Sequence, residues 1–330
     1  MTFATQPRST GPAAEIWFLD VGQGDCTLVI DSESRNAILI DCPAGRADQV
    51  LEFANRESIS IHTAIVTHWD IDHYGGIARV TAAMPPVRVV YNHDTLFPEG
   101  GRPNHGIRTT LRQFLNLDRS RTRLDSAQEG AEGVIGKVRW KMLAPDHREL
   151  TEAYARRQRN VASAVVAIEV ETTRVLIGGD AVGSTWSRLI TDGISLQAHI
   201  FRWPHHGADL HGDPGGTVRE QVLQAVQPER LIISAGATNR YGHPSASTVR
   251  AASSVAKVMC TQVTAGCFGF VDRPQRISTQ AQQEMRSLSS HYCAGSIRAV
   301  VTSSGFTLAA QRGDHQDRID QWPVPLCKTV

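Results

Sequence analysis

Short apolar runs separated by polar, glycine-bearing stretches set the rhythm of this chain. "EIWFLDV" (15–21) and "NAILIDC" (36–42) are almost continuously apolar, which predicts two buried strands. "GQGDCTLVI" (22–30) leads into another strand, and "DSES" (31–34) is a turn. "ADQVLEFANRE" (47–57) has helical spacing and precedes the strand "TAIVTH" (63–68); a helix, "YGGIARVTAAM" (74–84), and the strand "VRVVYN" (87–92) follow. Further on, strands are predicted at "KVRWKMLAP" (137–145), as a hairpin in "SAVVAIEVETTRVLIGGD" (163–180), at "AHIFRWPHHG" (198–207), at "RLIISAG" (230–236) and as a pair in "AGSIRAVVTSSGFTLAAQ" (294–311). Helices are predicted at "ELTEAYARRQRN" (149–160), "TWSRLITDG" (185–193), "TVREQVLQAV" (217–226) and after "YGHPSAS" (241–247).

Residues 1–14 lack periodicity and read as a flexible tail, and 312–330 read as a C-terminal tail. One domain is expected over 15–311. Within it, 93–130 is polar and rich in Gly and Arg and reads as a lid or insertion, with Ile107, Leu111, Phe114 and Leu115 on one face of a helix. Each half of the domain runs through strands and then helices, the order of two sheets with helices outside.

Composition narrows the function classes. The 330 residues are 41% hydrophobic and 20% charged, an ordinary globular balance, and the net charge of +1 supplies no global field toward nucleic acid or membrane. Any polyanion would have to be held by a local patch. No apolar run approaches the roughly 20 residues that span a bilayer, so no membrane association is expected. Six cysteines without C-x-x-C spacing argue against zinc-ribbon and redox motifs and for a reducing, cytoplasmic setting.

The candidate chemistry begins at "VTHWDIDHYGG" (66–76), where His68, Asp70, Asp72 and His73 crowd the end of an apolar strand. Imidazole nitrogen and carboxylate oxygen are ligands of divalent metals. His68 and Asp70 share a side if strand geometry persists; Asp72 and His73 fall on the next turn. Asp180 and the pair His205–His206 also stand where apolar strands stop, so three strand ends can feed one sheet edge. Helix capping by a carboxylate would explain one aspartate of this set, but neither the two histidines nor the later clusters.

The chain resembles the metallo-β-lactamase superfamily, and within it the hydrolase domain of the ComEC competence proteins. "FLDVGQGDCTLV" (18–29), "ILIDCP" (38–43), "THWDIDHYGG" (67–76), "VLIGGD" (175–180), "PHHG" (204–207) and "NRYGHP" (239–244) carry the resemblance, in the family's order. "DVGQGD" lacks the downstream Gly-Lys-Ser/Thr of a phosphate loop. The resemblance implies an α/β fold, a four-layer αβ/βα sandwich. It implies two divalent ions, Zn²⁺ or Mn²⁺: His68 and Asp70 on the first, Asp72 and His73 on the second, Asp180 bridging both, and His206, with His205 as the alternative, as the last ligand. Asp41 would support the ligand loop from behind, Asp72 would also orient the water, and His243 would sit near the substrate. Two features depart from the wider superfamily. Asp70 stands where histidine is usual, and no histidine lies between His147 and Asp180, where "RNVAS" (159–163) stands instead. A harder ion such as Mn²⁺ would suit that first position.

The function implied is metal-dependent hydrolysis with a metal-activated water, most directly of phosphodiesters such as nucleic acid. Arg119, Arg121, Arg123, Arg156, Arg157 and Arg159 are candidate phosphate contacts. Two other readings are a hydrolase of a small ester, lactone or phosphoester, and an effector gated by a protein partner. The membrane segments of full competence proteins are missing, which reads as a free-standing domain.

Overall fold

The apolar runs are continuous because both faces of their strands are covered. Ile38 and Ile40 face one core while Ala37 and Leu39 face another, and Val175 and Ile177 are divided in the same way from Leu176. A computed structural model describes residues 11–92, 105–237, 239–264 and 293–311, together with Cys267, Gly313, His315, Ile319 and 325–327. Among these residues the strands form two sheets.

The first sheet holds β1 (Ala14–Phe18), β2 (Thr27–Asp31), β3 (Asn36–Ile40), β4 (Ser60–Ile65), β5 (Arg88–Tyr91), β6 (Arg123–Ser126), β14 (Ile297–Thr302) and β15 (Gly305–Ala310), in the order β15-β14-β1-β2-β3-β4-β5-β6. The second holds β7 (Glu132–Ile135), β8 (Val138–Ala144), β9 (Val165–Val170), β10 (Thr173–Ile177), β11 (Ile200–Arg202), β12 (Arg230–Ile233) and β13 (Lys257–Cys260), in the order β13-β12-β11-β10-β9-β8-β7. Each sheet is parallel on one side, β3 to β6 and β10 to β13, and antiparallel on the other.

The sheets face each other across a core that includes Ile16, Phe18, Ile65, Trp140, Ile168 and Ile200. Helices α1 (Ala47–Arg56), α3 (Ile77–Ala83) and α4 (His105–Asn116) cover the outside of the first sheet through Val50, Phe53, Ile77, Val80, Ile107 and Phe114. Helices α6 (Gly183–Thr191), α7 (Thr217–Val226) and α8 (Ala246–Ser253) cover the second through Trp186, Leu189, Val222, Leu223 and Val249. The result is the expected four-layer αβ/βα sandwich. The short α2 (Ile71–Tyr74) and α5 (His147–Arg156), which begins with a capping box on Asp146 and Glu149, sit near the strand ends. Among the described residues, no helix is long and apolar enough to cross a membrane.

One expectation needs correction. Residues 105–126 are not a lid: α4 buries Ile107 and Phe114 under the first sheet, and β6 extends that sheet in parallel with β5. Burying the apolar face of α4 outweighs leaving it over solvent, although Leu115 stays exposed. Residues 93–104 of the same segment lie outside the described residues. In the C-terminal tail, Ile319 and Cys327 are buried in the outer core of the second sheet.

Candidate metal centre

Parallel strands align their carboxyl ends, and both sheets present those ends to one crevice. Asp41 follows β3, Thr67 to His73 follow β4, Asp180 follows β10, His205 and His206 follow β11, and Ser234 follows β12. All the metal-ligand candidates therefore converge: His68, Asp70, Asp72, His73, Asp180, His205 and His206. The separations are 3.5 Å for His68 Nε2–Asp70 Oδ2 and 3.7 Å for His68 Nε2–Asp180 Oδ2. His73 Nε2 is 3.2 Å from Asp180 Oδ1, His205 Nε2 is 3.7 Å from Asp180 Oδ2, and His206 Nε2 is 3.3 Å from Asp72 Oδ2.

Hydrogen bonds at Nδ1 orient three imidazoles so that Nε2 of each faces the crevice. The Nδ1–H of His73 donates to Asp41 Oδ2 at 2.8 Å. That carboxylate also accepts from the Thr67 amide at 2.8 Å and the Thr67 hydroxyl at 2.6 Å, so Asp41 ties the His73 ring to Thr67. His206 Nδ1 lies 3.2 Å from the Ser234 carbonyl, which can only accept, so Nδ1 carries the proton. His68 Nδ1 lies 3.2 Å from Thr67 Oγ1 and 3.4 Å from Ser163 Oγ; Thr67 has already given its proton to Asp41. The opposite nitrogen of each ring, Nε2 of His68, His73 and His206, is buried without a hydrogen-bond partner, and so is Asp180 Oδ1. Buried polar atoms are rarely left in that condition. Two trios among the described residues, His68–His73–Asp180 and Asp25–His73–His206, bring ligand atoms within 4.8 Å of one another. The donor set of imidazole nitrogen and carboxylate oxygen fits divalent ions.

The electrostatics agree with this fit. Burial alone would push His73 and His206 down, but the surrounding carboxylates outweigh it: Asp180 and Asp41 hold His73 well above its ordinary range, and Asp180, Asp25 and Asp72 hold His206 at about 10. Asp180 stays ionised far below the usual carboxylate range, despite burial, because three imidazoles surround it. Asp72 is likewise lowered to about 2 against burial, by His206 and His73. His243 is driven down to about 4, first by burial and then by His205 and His206, so its ring is neutral at neutral pH. It stands 5.3 Å from the His205 ring and stacks on Tyr241.

Asp25 and Arg202 escape a reading of the sequence alone. Asp25 Oδ1 is 3.3 Å from His206 Nδ1 and 2.5 Å from Arg202 Nη2, and both side chains are buried. Arg202 also donates to Thr27 Oγ1 at 2.5 Å and Ser234 Oγ at 2.6 Å. Asp25 thus steadies His206 much as Asp41 steadies His73. The signal is an arginine inside the apolar run "HIFRWP", because a buried cation calls for a counter-charge. The "DVGQGD" loop has no phosphate-loop role in this arrangement: a Cβ on Gly24 would come within 2.5 Å of the Asp72 carbonyl, so the glycine lets one site loop pack under the other. Gly76 serves the same end, since a Cβ there would meet Cys42 Sγ at 2.5 Å.

A cavity of about 370 Å³ opens over the site, and Trp69, Arg159, Tyr241 and His243 help to line it. The body of Trp69 is buried, and its indole N–H donates to the Asn92 carbonyl, which ties the ligand loop to the end of β5. Of the arginine clusters, Arg159 reaches the cavity and pairs with Asp70 Oδ1 at 2.8 Å. Arg121, Arg123 and Arg156 pair instead with Asp118, Asp125 and Glu152.

Residues 19–236 match the model of the metallo-β-lactamase superfamily. Recombination protein 2 of Haemophilus influenzae is 26% identical over 239 residues, covering 71% of this chain and 26% of its own length. ComE operon protein 3 of Bacillus subtilis is 25% identical over 260 residues, covering 70% of this chain and 29% of its own length. The chain therefore spans little more than a quarter of these relatives. Among solved structures, the metallo-β-lactamase fold protein YhfI from Bacillus subtilis aligns with a TM-score of 0.46 at 12% identity, over 75% of this chain and 95% of that one. The family match covers the strand ends that build the crevice from Asp25 to Ser234, and on that match the chain belongs to the metallo-β-lactamase superfamily.

Proposed function

We propose that this protein is a metal-dependent phosphodiesterase acting on nucleic acid. The observation that carries the metal dependence is a set of four buried atoms, His68 Nε2, His73 Nε2, His206 Nε2 and Asp180 Oδ1, that crowd one crevice within 3.2–3.7 Å of one another or of a carboxylate and yet make no aligned hydrogen bond. His68, Asp70 and Asp180 would hold one divalent ion; Asp72, His73, His206 and Asp180 would hold a second; Asp180 would bridge. His205, beside Asp180 Oδ2, would add a nitrogen on the side where the superfamily's additional histidine is missing. Bound ions would supply Lewis acidity toward a phosphoryl oxygen and a water acidified toward neutral pH. The protein's own groups do the rest. Asp72, 3.3 Å from His206 Nε2, would orient the water. The neutral His243 ring lines the cavity as a hydrogen-bonding group for substrate. Arg159, paired with Asp70, brings a cation to the rim where a phosphate oxygen would meet it. The reading toward nucleic acid also leans on a relative named for recombination. Six unbridged cysteines suit a reducing compartment, and we place the protein in the cytoplasm on that ground.

A cavity of about 370 Å³ also has the size of a small-molecule site, which favours a small phosphoester or lactone as the second reading. The deciding assay offers single- and double-stranded DNA, RNA, bis-p-nitrophenyl phosphate and a β-lactam to the protein with Mn²⁺ or Zn²⁺, beside a His68→Ala control. Polymer cleavage that falls steeply with salt, and an untouched β-lactam, are expected. Cleavage of the small diester alone would move the assignment to a small substrate. No turnover by metal-loaded protein would replace it with a partner-gated effector.

Metal uptake should also displace protons. Because the folded values of His73 and His206 are raised, each imidazole keeps its proton above the ordinary 6.5, and for His206 up to about 10. The stability these charges give the metal-free protein is complete below about 6.5 and lost as pH rises through the folded value. At pH 7.5, zinc titration should release on the order of two protons per chain. Calorimetry in buffers of different ionisation enthalpy reads that number, and a value near zero would mean that these rings are not displaced by metal.

A further inference from the structure

Three side chains at the mouth of the crevice have no place in the ligand set. Tyr241 and Ile71 are each 56% exposed, and both line the cavity of about 370 Å³. Arg240 stands exposed beside Tyr241. A lone apolar side chain on a surface is ordinary. Here two come from separate segments to one opening: Ile71 begins α2, between Asp70 and Asp72, and Tyr241 lies between β12 and α8. The second segment is tied shut. The Asn239 side chain donates to the carbonyls of Gly236 and His243, each at 2.8 Å, and accepts from the His243 amide at 2.9 Å. Planar groups then run in file from solvent to the ligands. The Arg240 guanidinium lies 5.0 Å from the Tyr241 ring centre and donates to its hydroxyl at 2.8 Å. The Tyr241 ring lies 5.8 Å from that of His243 and 11° from parallel with it, and His243 stands 5.3 Å from His205, which is beside Asp180.

We propose that Tyr241, Arg240 and Ile71 form a nucleotide subsite next to the metal centre: an unpaired base stacks on the Tyr241 ring, and Arg240 meets a neighbouring phosphate. This subsite rests on the phosphodiester substrate proposed above and adds what the protein grips beside the scissile bond. Tyr241 keeps more than half of its surface open although His243 and Arg240 flank it, which leaves ring surface for a ligand. Stacking asks only for a flat ring and suits any base. Arg240 has the phenol as its partner, and among the described residues no carboxylate pairs with it, whereas Asp70 pairs with Arg159. An unneutralised cation beside an exposed aromatic ring is the combination that single-stranded nucleic acid takes. Ile71 supplies an apolar edge on the ligand loop, which fits the body of a base and not a phosphate. A protein partner would need far more surface than these side chains offer, on the order of 800 Å² a side. A base still paired in a duplex is covered above and below by its neighbours, so it would have to leave the stack to reach Tyr241. Because Asn239 already fixes the turn, little ordering is left to be done when a ligand binds.

Two chromogenic diesters with the same p-nitrophenolate leaving group test the subsite on the full chain with Mn²⁺: thymidine 5′-(p-nitrophenyl phosphate) and methyl p-nitrophenyl phosphate. The thymidine ester should be preferred in kcat/KM, and Tyr241→Ala should cut that preference about tenfold, mostly through KM. Tyr241→Phe, which keeps the ring, should keep the preference. A Tyr241 that merely propped His243 would lower both esters alike and leave their ratio untouched, and that result would overturn the subsite. Binding separates the subsite from the activity. By fluorescence anisotropy, a phosphorothioate oligothymidine should bind about tenfold more tightly than an abasic strand of equal length, and Tyr241→Ala should erase the difference. If neither diester is turned over, the phosphodiesterase reading fails and the anisotropy comparison decides the subsite alone; equal binding of the two strands would overturn it.

Discussion

Asp180→Ala should strip the crevice of more metal than any other single substitution there and lower metal-dependent turnover by about 10³-fold, equivalent to about 4 kcal/mol. Asp180 alone has carboxylate oxygens facing both sides: Oδ1 toward His73, and Oδ2 toward His68 and His205. Removing it takes the shared negative charge from both proposed ions at once. The loop itself should survive, because the Asp180 amide, not its side chain, makes the 2.8 Å bond to Ser163 Oγ. Circular dichroism should therefore be unchanged while elemental analysis shows the loss. Full occupancy of the crevice in folded Asp180→Ala protein would rule out the bridging role. Because Asp180 is the foremost influence raising His206 against burial, proton release on zinc titration should shrink in the same variant.

Arg202→Leu should destabilise the fold by ~3–5 kcal/mol, the usual cost of leaving one member of a buried ion pair without its partner. Asp25 is held ionised below the ordinary carboxylate range, against its burial, by Arg202 and then His206. Without the guanidinium it would either keep an uncompensated charge or take up a proton. Thr27 Oγ1 and Ser234 Oγ would lose a donor as well. Urea denaturation reads the loss. A second variant, Asp25→Asn with Arg202→Leu, should recover part of it, because a neutral amide costs less to bury than a carboxylate. A loss below about 1 kcal/mol for Arg202→Leu alone would show that the pair contributes little to the fold.

The parts of the site written in one stretch of chain are legible in the sequence. His68, Asp70, Asp72 and His73 sit within six positions, and Asp180 and His206 follow strands whose apolar runs stop abruptly. The layered fold is legible for a related reason: strands apolar on both faces need helices on one side and a second sheet on the other. Partnerships across long sequence separations are not. Arg202 lies in a different sheet from Thr27, and nothing near Asp25 marks its partner. Helix α4 shows in the spacing of Ile107 and Phe114, but its docking does not, because an amphipathic face does not say which sheet it will cover. The cysteines meet the same limit: their spacing does not show that backbone hydrogen bonds join the segments carrying Cys260, Cys267, Cys293 and Cys327.

The first sheet also bears on how the chain matures. β1 lies between β2 and β14, with Ala14 opposite Val301 and Phe18 opposite Ile297, so a strand from the first residues is closed by one from the far end. During synthesis β1 can pair with β2 early, while its other edge stays open until β14, about 280 residues later, has left the ribosome. Such an edge, with Ile16, Trp17 and Phe18 in it, is a template for unwanted strand pairing. Long-range closure of this kind also slows folding. A chain that stops before β14 therefore leaves this edge open to other strands, and docking of the β14–β15 hairpin closes it.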